Sequence, residues 1–542
     1  MIATGTEEVA EEYLYDRLLE YSRSDMYPFH MPGHKRRMGA MADPAAIDIT
    51  EIDGFDNLHH AEGIIRDVER RAAHLYGAAE TCLLVGGSTA GILTAVSAAM
   101  TAGGMTASSA DTETMAGGAV KAAGGAAEAA GADMKPGRSG AARKILVARN
   151  CHKAVYHALY LRHLEPVYVS PQERGVINGP VLAEDVERIL EREEGIGAVV
   201  ITSPTYDGVV SDATAIARAA HRHHAVLIVD EAHGAHFGMD PAWPQSAVRL
   251  GADYVIQSLH KTLPALGQTA LLHLSGAEDV ELAHRFSGIY QTSSPSYVLM
   301  ASADRCLRWM KEQGREAYAA YAGRLEHFYR ECRDLRSLKL IRTDDPSRII
   351  IRAPEAAGGG LELSRQLREQ DHLEMEMAAP QYVLALSTVA DDEEALERLG
   401  RALHRIDDAW AAYAKEADGG GDRAGAEAGT AAGCAYEAEG GKRAAGSEID
   451  SGAAELSDLP EYVMAPAEAW DGPRRACALE QTAGCVSAEM VYLYPPGIPL
   501  LVPGERIDEA MQERLLKLRD QGWSLQGMMD RQMQTLKVVY EQ

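Results

Sequence analysis

The stretch Ala252-Asp253-Tyr254-Val255-Ile256-Gln257-Ser258-Leu259-His260-Lys261-Thr262 governs how this chain is read. Its first half has the composition of a buried strand, and a lysine follows at the carboxyl end. Strand interiors exclude ammonium groups, and a lysine held deep needs a reason. The simplest reason is chemical: its nitrogen is engaged as an imine to an aldehyde cofactor. A second apolar run, Ala225-Val226-Leu227-Ile228-Val229, ends in Asp230. A lysine and a carboxylate, each at the carboxyl end of a strand, are what a pyridoxal phosphate site requires. The carboxylate keeps the pyridine nitrogen protonated, because an opposite charge stabilises the charged form. The protonated ring is then an electron sink. An ordinary strand-end residue is the bland alternative for each. For Lys261 it loses ground because Ser258, His260 and Asp230 come with it.

Outward from these two strands the chain alternates. Thr81–Val85, Lys144–Ala148, Val167–Val169, Ala198–Thr202, Ala225–Asp230 and Tyr254–Gln257 read as strands. Ser88–Met100, Lys153–His163, Leu182–Glu194 and Asp212–His223 read as the helices between them. The strands are apolar runs without alternation, as expected when both faces are covered. The pattern predicts an α/β fold with a mostly parallel sheet, and ligands beyond the strands' carboxyl ends. A helical N-terminal segment with a Pro/Gly loop occupies residues 1–45, and the large domain residues 46–294. Residues 295–415 read as a smaller α+β domain and residues 457–542 as a C-terminal domain. Residues 101–141 and 416–456 are Gly/Ala-rich. They lack the large apolar side chains that offset chain-ordering entropy, so a disordered insertion and a flexible linker are expected.

Other motifs sit at strand ends. Gly86-Gly87-Ser88-Thr89-Ala90-Gly91 follows a strand and opens a helix, where close backbone approach and free N–H groups suit a phosphate. Ser258 and His260 could add donors. Asn150-Cys151-His152-Lys153 also follows a strand; the imidazole could stack on a flat cofactor or simply cap the next helix. Asp230-Glu231-Ala232-His233 spells a helicase motif, but that reading needs a G-x-x-x-x-G-K-[ST] loop, which the sequence lacks. His233 and His236 have H-x-x-H spacing, and His221, His223 and His224 cluster. Without H-E-x-x-H or a cysteine set, no metal is expected.

Composition sets the bounds. A chain of 542 residues with a net charge of −27 disfavours nucleic acid as a partner and suits cationic small substrates. No apolar run approaches the roughly 20 residues needed to cross a bilayer, so no membrane association is expected. The first residues lack the basic and apolar regions of an export signal. Seven cysteines without a C-x-x-C pair fit a reducing cytoplasm.

Taken together, these stretches resemble the ornithine/lysine/arginine decarboxylase family of fold-type I pyridoxal phosphate enzymes, in its short Gram-positive branch. The resemblance rests on Phe29-His30-Met31-Pro32-Gly33-His34-Lys35, Asp48-Ile49-Thr50-Glu51, Arg149 to Lys153, Ser203-Pro204-Thr205-Tyr206-Asp207-Gly208, the Asp230 segment, Ser258 to Thr262, and Tyr494-Pro495-Pro496-Gly497-Ile498-Pro499 with Pro503-Gly504-Glu505. It implies an aspartate aminotransferase-like fold with pyridoxal 5'-phosphate as cofactor. Lys261 would be the Schiff-base lysine, Asp230 the pyridine partner and His152 the stacking ring. Gly87, Ser88, Ser258 and His260 would contact the phosphate, and His233 the cofactor. Thr292, in Thr292-Ser293-Ser294-Pro295, would reach a neighbouring subunit's phosphate, making a homodimer the minimal active unit. Glu505 would meet the substrate's distal cation. Larger members carry an N-terminal wing domain that the residues before Phe29 do not supply.

The implied reaction is decarboxylation of a basic amino acid, arginine preferred over lysine or ornithine, feeding polyamine synthesis in the cytoplasm. His260 or Lys261 would return the proton to the carbon. An aminotransferase of the same fold is the nearest competitor, and it needs an arginine for the substrate carboxylate. A non-catalytic cofactor-binding regulator would need a DNA-binding segment, and no basic helix-turn-helix is evident.

Overall fold

Seven strands form the central sheet: β1 (Glu80–Leu84), β2 (Lys144–Ala148), β3 (Glu165–Val169), β4 (Ile196–Thr202), β5 (Val226–Asp230), β6 (Tyr254–Ser258) and β7 (Ala270–Leu274). Their order is β1-β7-β6-β5-β4-β2-β3. All neighbours are parallel except β7, which runs antiparallel to both β1 and β6. The computed structural model describes residues 14–38, 43–110, 143–276, 280–419, 460–494 and 497–540. Every residue of β6 and β7 is buried, which is why neither alternates in sequence. The register sets Thr202 beside Asp230, and Asp230 beside Ile256. The carboxyl ends of β4, β5 and β6 therefore form one rim, and the sequence places Asp230 and Lys261 on it.

The expected strands and helices of this domain are present within a few residues. β7 was not foreseen, because it returns antiparallel to β6 and no crossover helix announces it. The helix at Gly87–Ala110 runs past the expected Met100 into the stretch expected to lack structure. The rest of that insertion lies outside the described residues. The helix Glu393–Gly419 likewise passes the expected domain boundary at residue 415, and most of the expected linker lies outside the description.

A second sheet follows, in the order β8-β9-β11-β10, all antiparallel: β8 (Lys339–Ile341), β9 (Arg348–Arg352), β10 (Met377–Ala378) and β11 (Tyr382–Leu386). The N-terminal arm belongs with this small domain, since Tyr27–Phe29 pairs in parallel with Leu373–Met375. A helix at Gly359–Asp371 was missed in sequence because its first turn is glycine-rich.

The C-terminal domain has its own core, including Val491, Leu501, Ile507, Leu515, Leu536 and Val538. It is fastened to the large domain by a buried ion pair. Arg149 Nη2 lies 3.1 Å from Glu505 Oε2, with both side chains essentially free of solvent. Arg149 also donates to the carbonyls of Pro499 (2.6 Å) and Leu500 (3.1 Å), and Glu505 accepts the Val502 N–H at 2.7 Å. Burial pushes the Glu505 carboxyl up and Arg149 opposes it. Glu505 is therefore committed to holding two domains together. Its expected place at the substrate cation is not where the fold puts it.

Breaking one partner of a buried pair strands the other charge. Glu505→Ala should lower unfolding stability by about 3–5 kcal/mol, read by denaturant titration; a loss confined to substrate affinity, with stability unchanged, would contradict this role.

Candidate active site

Lys261 stands on the single helical turn Leu259–Thr262 that follows β6, and Asp230 ends β5. Both line one cavity of about 460 Å³, together with His152, His233, His260, Gly87 and Ser88. The two groups on which the sequence reading depends thus face one space. Burial lowers the Lys261 pKa; Asp230 and Glu376 oppose the shift, and Arg348 adds to it. Burial raises the Asp230 pKa, opposed by Lys261 and by the Ala232 N–H, which Oδ1 accepts at 3.1 Å. A cationic ring nitrogen beside Asp230 would favour its charged form again.

His233 couples this pair to the small domain. Its Nε2 is 3.0 Å from Lys261 Nζ, and its Nδ1 is 3.3 Å from Arg348 Nη2. Arg348 Nη2 also donates to the His233 carbonyl at 3.0 Å. A guanidinium only donates, so Nδ1 must accept. The neutral ring then carries its proton on Nε2, directed at Lys261, whose amine must be the acceptor. Burial, and then Lys261 and Arg348, push the His233 pKa well down, so the ring stays neutral. Hydrogen bonding and burial both favour an uncharged Lys261 amine, the form that attacks an aldehyde.

His152 caps the helix Lys153–Arg162, its Nδ1 accepting the Ala154 N–H at 3.2 Å. Burial takes its pKa down to about 3, with smaller contributions from Lys261 and Lys153. The residue caps the helix, and its ring lines the cavity. His260 Nδ1 lies 3.0 Å from the Thr269 carbonyl, which only accepts. Its Nε2 is then unprotonated while the ring is neutral, and burial holds its pKa near about 4. Donation from Nε2 to a phosphate requires a second proton, which a neighbouring anion would favour.

The residues fit pyridoxal phosphate. Asn150 Oδ1 on the cavity wall is buried without a hydrogen-bond partner, a rare condition that a polar ligand relieves. Ser258 Oγ at the end of β6 is also buried and unpartnered, but Ser258 is not among the residues lining the cavity. Gly87 has φ +72°, a conformation glycine takes readily, and it opens the helix beside Ser88. Among the described residues no group of three or more His, Cys, Asp or Glu could hold a metal ion. Thr292 does not line this cavity. It is exposed, and its carbonyl meets His59 Nε2 at 2.8 Å. Glu505 is also absent from the wall.

Several wall residues were not singled out as site residues in the sequence. Tyr206 and Glu376 are joined by a 2.5 Å hydrogen bond, and Glu376 Oε2 accepts the Met31 N–H at 2.8 Å. Tyr206 packs edge-on against His233 with ring centroids 5.0 Å apart. Gln268 and Thr89 flank the glycine turn. The C-terminal domain contributes Tyr494 and Ile498, and Lys153 Nζ lies 3.0 Å from the Tyr492 hydroxyl. Tyr206 and Met31 fall within the motifs that carry the resemblance. Nothing local marks Glu376.

This sheet order with a lysine and an aspartate at adjoining strand ends defines a pyridoxal phosphate enzyme of the aspartate aminotransferase-like fold. The model for "Orn/Lys/Arg decarboxylase, major domain" matches residues 13–107 and 133–356, and that for the C-terminal domain matches residues 451–530. The chain belongs to the ornithine/lysine/arginine decarboxylase family and is a pyridoxal phosphate-dependent amino-acid decarboxylase acting on basic amino acids. The break in the major-domain match falls in the Gly/Ala-rich insertion. The arginine decarboxylase of Bacillus anthracis is 27% identical over 555 residues, covering 98% of each chain. The constitutive lysine decarboxylase of Escherichia coli (strain K12) is 24% identical, over 67% of this chain and 60% of its own. The solved lysine decarboxylase of Francisella novicida shares the fold, with a TM-score of 0.64 at 19% identity over 90% of this chain and 73% of that one. No helix among the described residues is long and apolar enough to cross a membrane.

The His233 geometry makes a prediction for the apoprotein. Capture of free pyridoxal phosphate by Lys261, followed by absorbance, should quicken with pH as the amine loses its proton. Arg348→Met removes a nearby positive charge and frees His233 to take the other tautomer. Both changes raise the Lys261 pKa, so the capture profile should move to higher pH. An unmoved profile would contradict the coupling.

Proposed function

We propose that the chain decarboxylates arginine to agmatine, with Lys261, Asp230, His233 and His152 as its working groups. The observation that carries this reading is the cavity wall itself. It holds Lys261 and Asp230 together, and among its described residues there is no arginine to clamp a substrate carboxylate for transamination. Arg348, the small domain's buried arginine beside the site, is occupied with His233, Ser347 and Asp345. Preference for arginine over lysine or ornithine is supported by the full-length relatives named arginine decarboxylase in Bacillus anthracis and Bacillus subtilis.

Bound pyridoxal phosphate supplies the sink for the electron pair released when the carboxylate leaves as carbon dioxide. The chain does the rest. Asp230 holds the proton on the ring nitrogen. The neutral His152 ring covers one face of the site and keeps water from it. The proton returned to the substrate α-carbon would come from Lys261 Nζ, which takes it from the incoming substrate's α-ammonium group; His233 Nε2, 3.0 Å away, positions that nitrogen. His260 is less suited to that step, because its protonated nitrogen is turned to the Thr269 carbonyl.

The exposed Thr292–Ser294 turn stands clear of its own cavity, as expected of a segment that closes a neighbour's site in a homodimer. A cytoplasmic role in polyamine synthesis accords with the product.

Arginine, lysine and ornithine assayed in parallel test the proposal. Agmatine and stoichiometric carbon dioxide are expected; a 2-oxo acid without carbon dioxide would replace it with transamination. Asp230→Ala should bind cofactor yet lose orders of magnitude in rate, and unchanged kinetics would remove the role given to that carboxylate.

A further inference from the structure

A basic substrate brings a second cation into the cavity, and Glu505, the carboxylate expected to meet it, is sealed against Arg149. Asp230 is at the strand rim, where the ring nitrogen needs it. One further described carboxylate lines the cavity, that of Glu376. Its bonds are both to neutral groups, the Tyr206 hydroxyl and the Met31 N–H. Among the described residues no lysine, arginine or histidine closes an ion pair with it. Each of its oxygens keeps a lone pair for another donor.

The carboxylate is held before any ligand arrives. The Glu376 backbone N–H donates to the Leu384 carbonyl at 3.0 Å, so the main chain is tied to β11. Tyr206 and Met31 fix the side chain from two other segments. Glu376 also lies on the same wall as the reacting nitrogen: it bonds Tyr206, Tyr206 packs on His233, and His233 meets Lys261. A substrate whose α-nitrogen takes the place of the Lys261 nitrogen has its side chain free to run along this wall. Two carboxylate oxygens with open lone pairs suit the planar fork of a guanidinium, and also an ammonium.

We propose that Glu376, oriented by Tyr206 and the Met31 N–H, is the residue that recognises the side-chain cation of the substrate. The inference rests on the basic amino-acid reading and deepens it. Glu376→Gln tests it, since the amide can keep a bond to Met31 and to Tyr206 while losing the charge. The probes are agmatine and n-pentylamine, which has the amine but no second cation, bound to the holoenzyme and followed by calorimetry. Glu376→Gln should weaken agmatine roughly tenfold to a hundredfold and leave n-pentylamine within about twofold. Equal losses for both amines, or an unchanged agmatine affinity, would overturn the assignment. Tyr206→Phe is the second variant: it frees one carboxylate oxygen and should show the same selectivity on a smaller scale. If Glu376→Gln does not fold, an unaltered agmatine affinity in Tyr206→Phe overturns the proposal. Wild-type enzyme that releases no carbon dioxide from any of the three basic amino acids defeats the function reading instead. Wild-type turnover with agmatine affinity retained in Glu376→Gln defeats only this one.

Discussion

A lysine amine deprived of water is the constraint around which this molecule is arranged. In solution the Lys261 side chain would hold its proton to a pKa of about 10.4. Inside the protein, burial disfavours the charge, and Arg348 disfavours it further from the far side of His233. The histidine hands its Nε2 proton toward the amine because its other nitrogen already accepts from a guanidinium. Asp230 and Glu376 pull the other way. The amine is biased toward its uncharged, nucleophilic form, with a carboxylate close by to favour a proton when the chemistry requires one.

Three parts of the chain converge to hold that arrangement. The loop at Met31-Pro32-Gly33 is laid directly on the Lys261 turn. The Gly33 N–H donates to the His260 carbonyl at 2.7 Å, and a Cβ at Gly33 would stand 2.9 Å from the Thr262 and Leu263 backbone. The buried Lys35 donates to the carbonyls of His30 and Leu386, tying the loop to β11; burial brings its pKa down to about 8. The large domain thus supplies the reacting residues, the N-terminal arm and small domain clamp them, and the C-terminal domain adds Tyr494 and Ile498 to the wall. The Arg149–Glu505 pair fixes that last domain beside the helix that His152 caps.

The residues that could be read from sequence are those whose position follows from an adjoining apolar run. Asp230, Lys261 and His152 each come directly after a strand, and a strand's carboxyl end is a defined place in an α/β sheet. Arg348 and Glu376 have no such marker, and Tyr206, four residues past β4, is not singled out from its neighbours by that position. They meet the site only because β9, the loop after β4 and the residue before β10 converge in three dimensions. Glu505 was misplaced for a related reason: a motif gives a residue's position along the chain, while the face it presents depends on Arg149 across the domain interface. β7 escaped notice because Ala270-Leu271-Leu272-His273-Leu274 differs little from any buried segment, and no crossover helix sets it off. The mostly parallel sheet and the site's central pair were therefore legible, and Arg348 and Glu376 were not.

The most direct measurement is borohydride reduction of the protein with pyridoxal phosphate, followed by peptide mapping of the modified lysine. The account predicts one stoichiometric pyridoxyl group on the peptide carrying Lys261, lost when that residue is replaced by alanine. Stoichiometric label on another lysine, with position 261 unmodified, would contradict it.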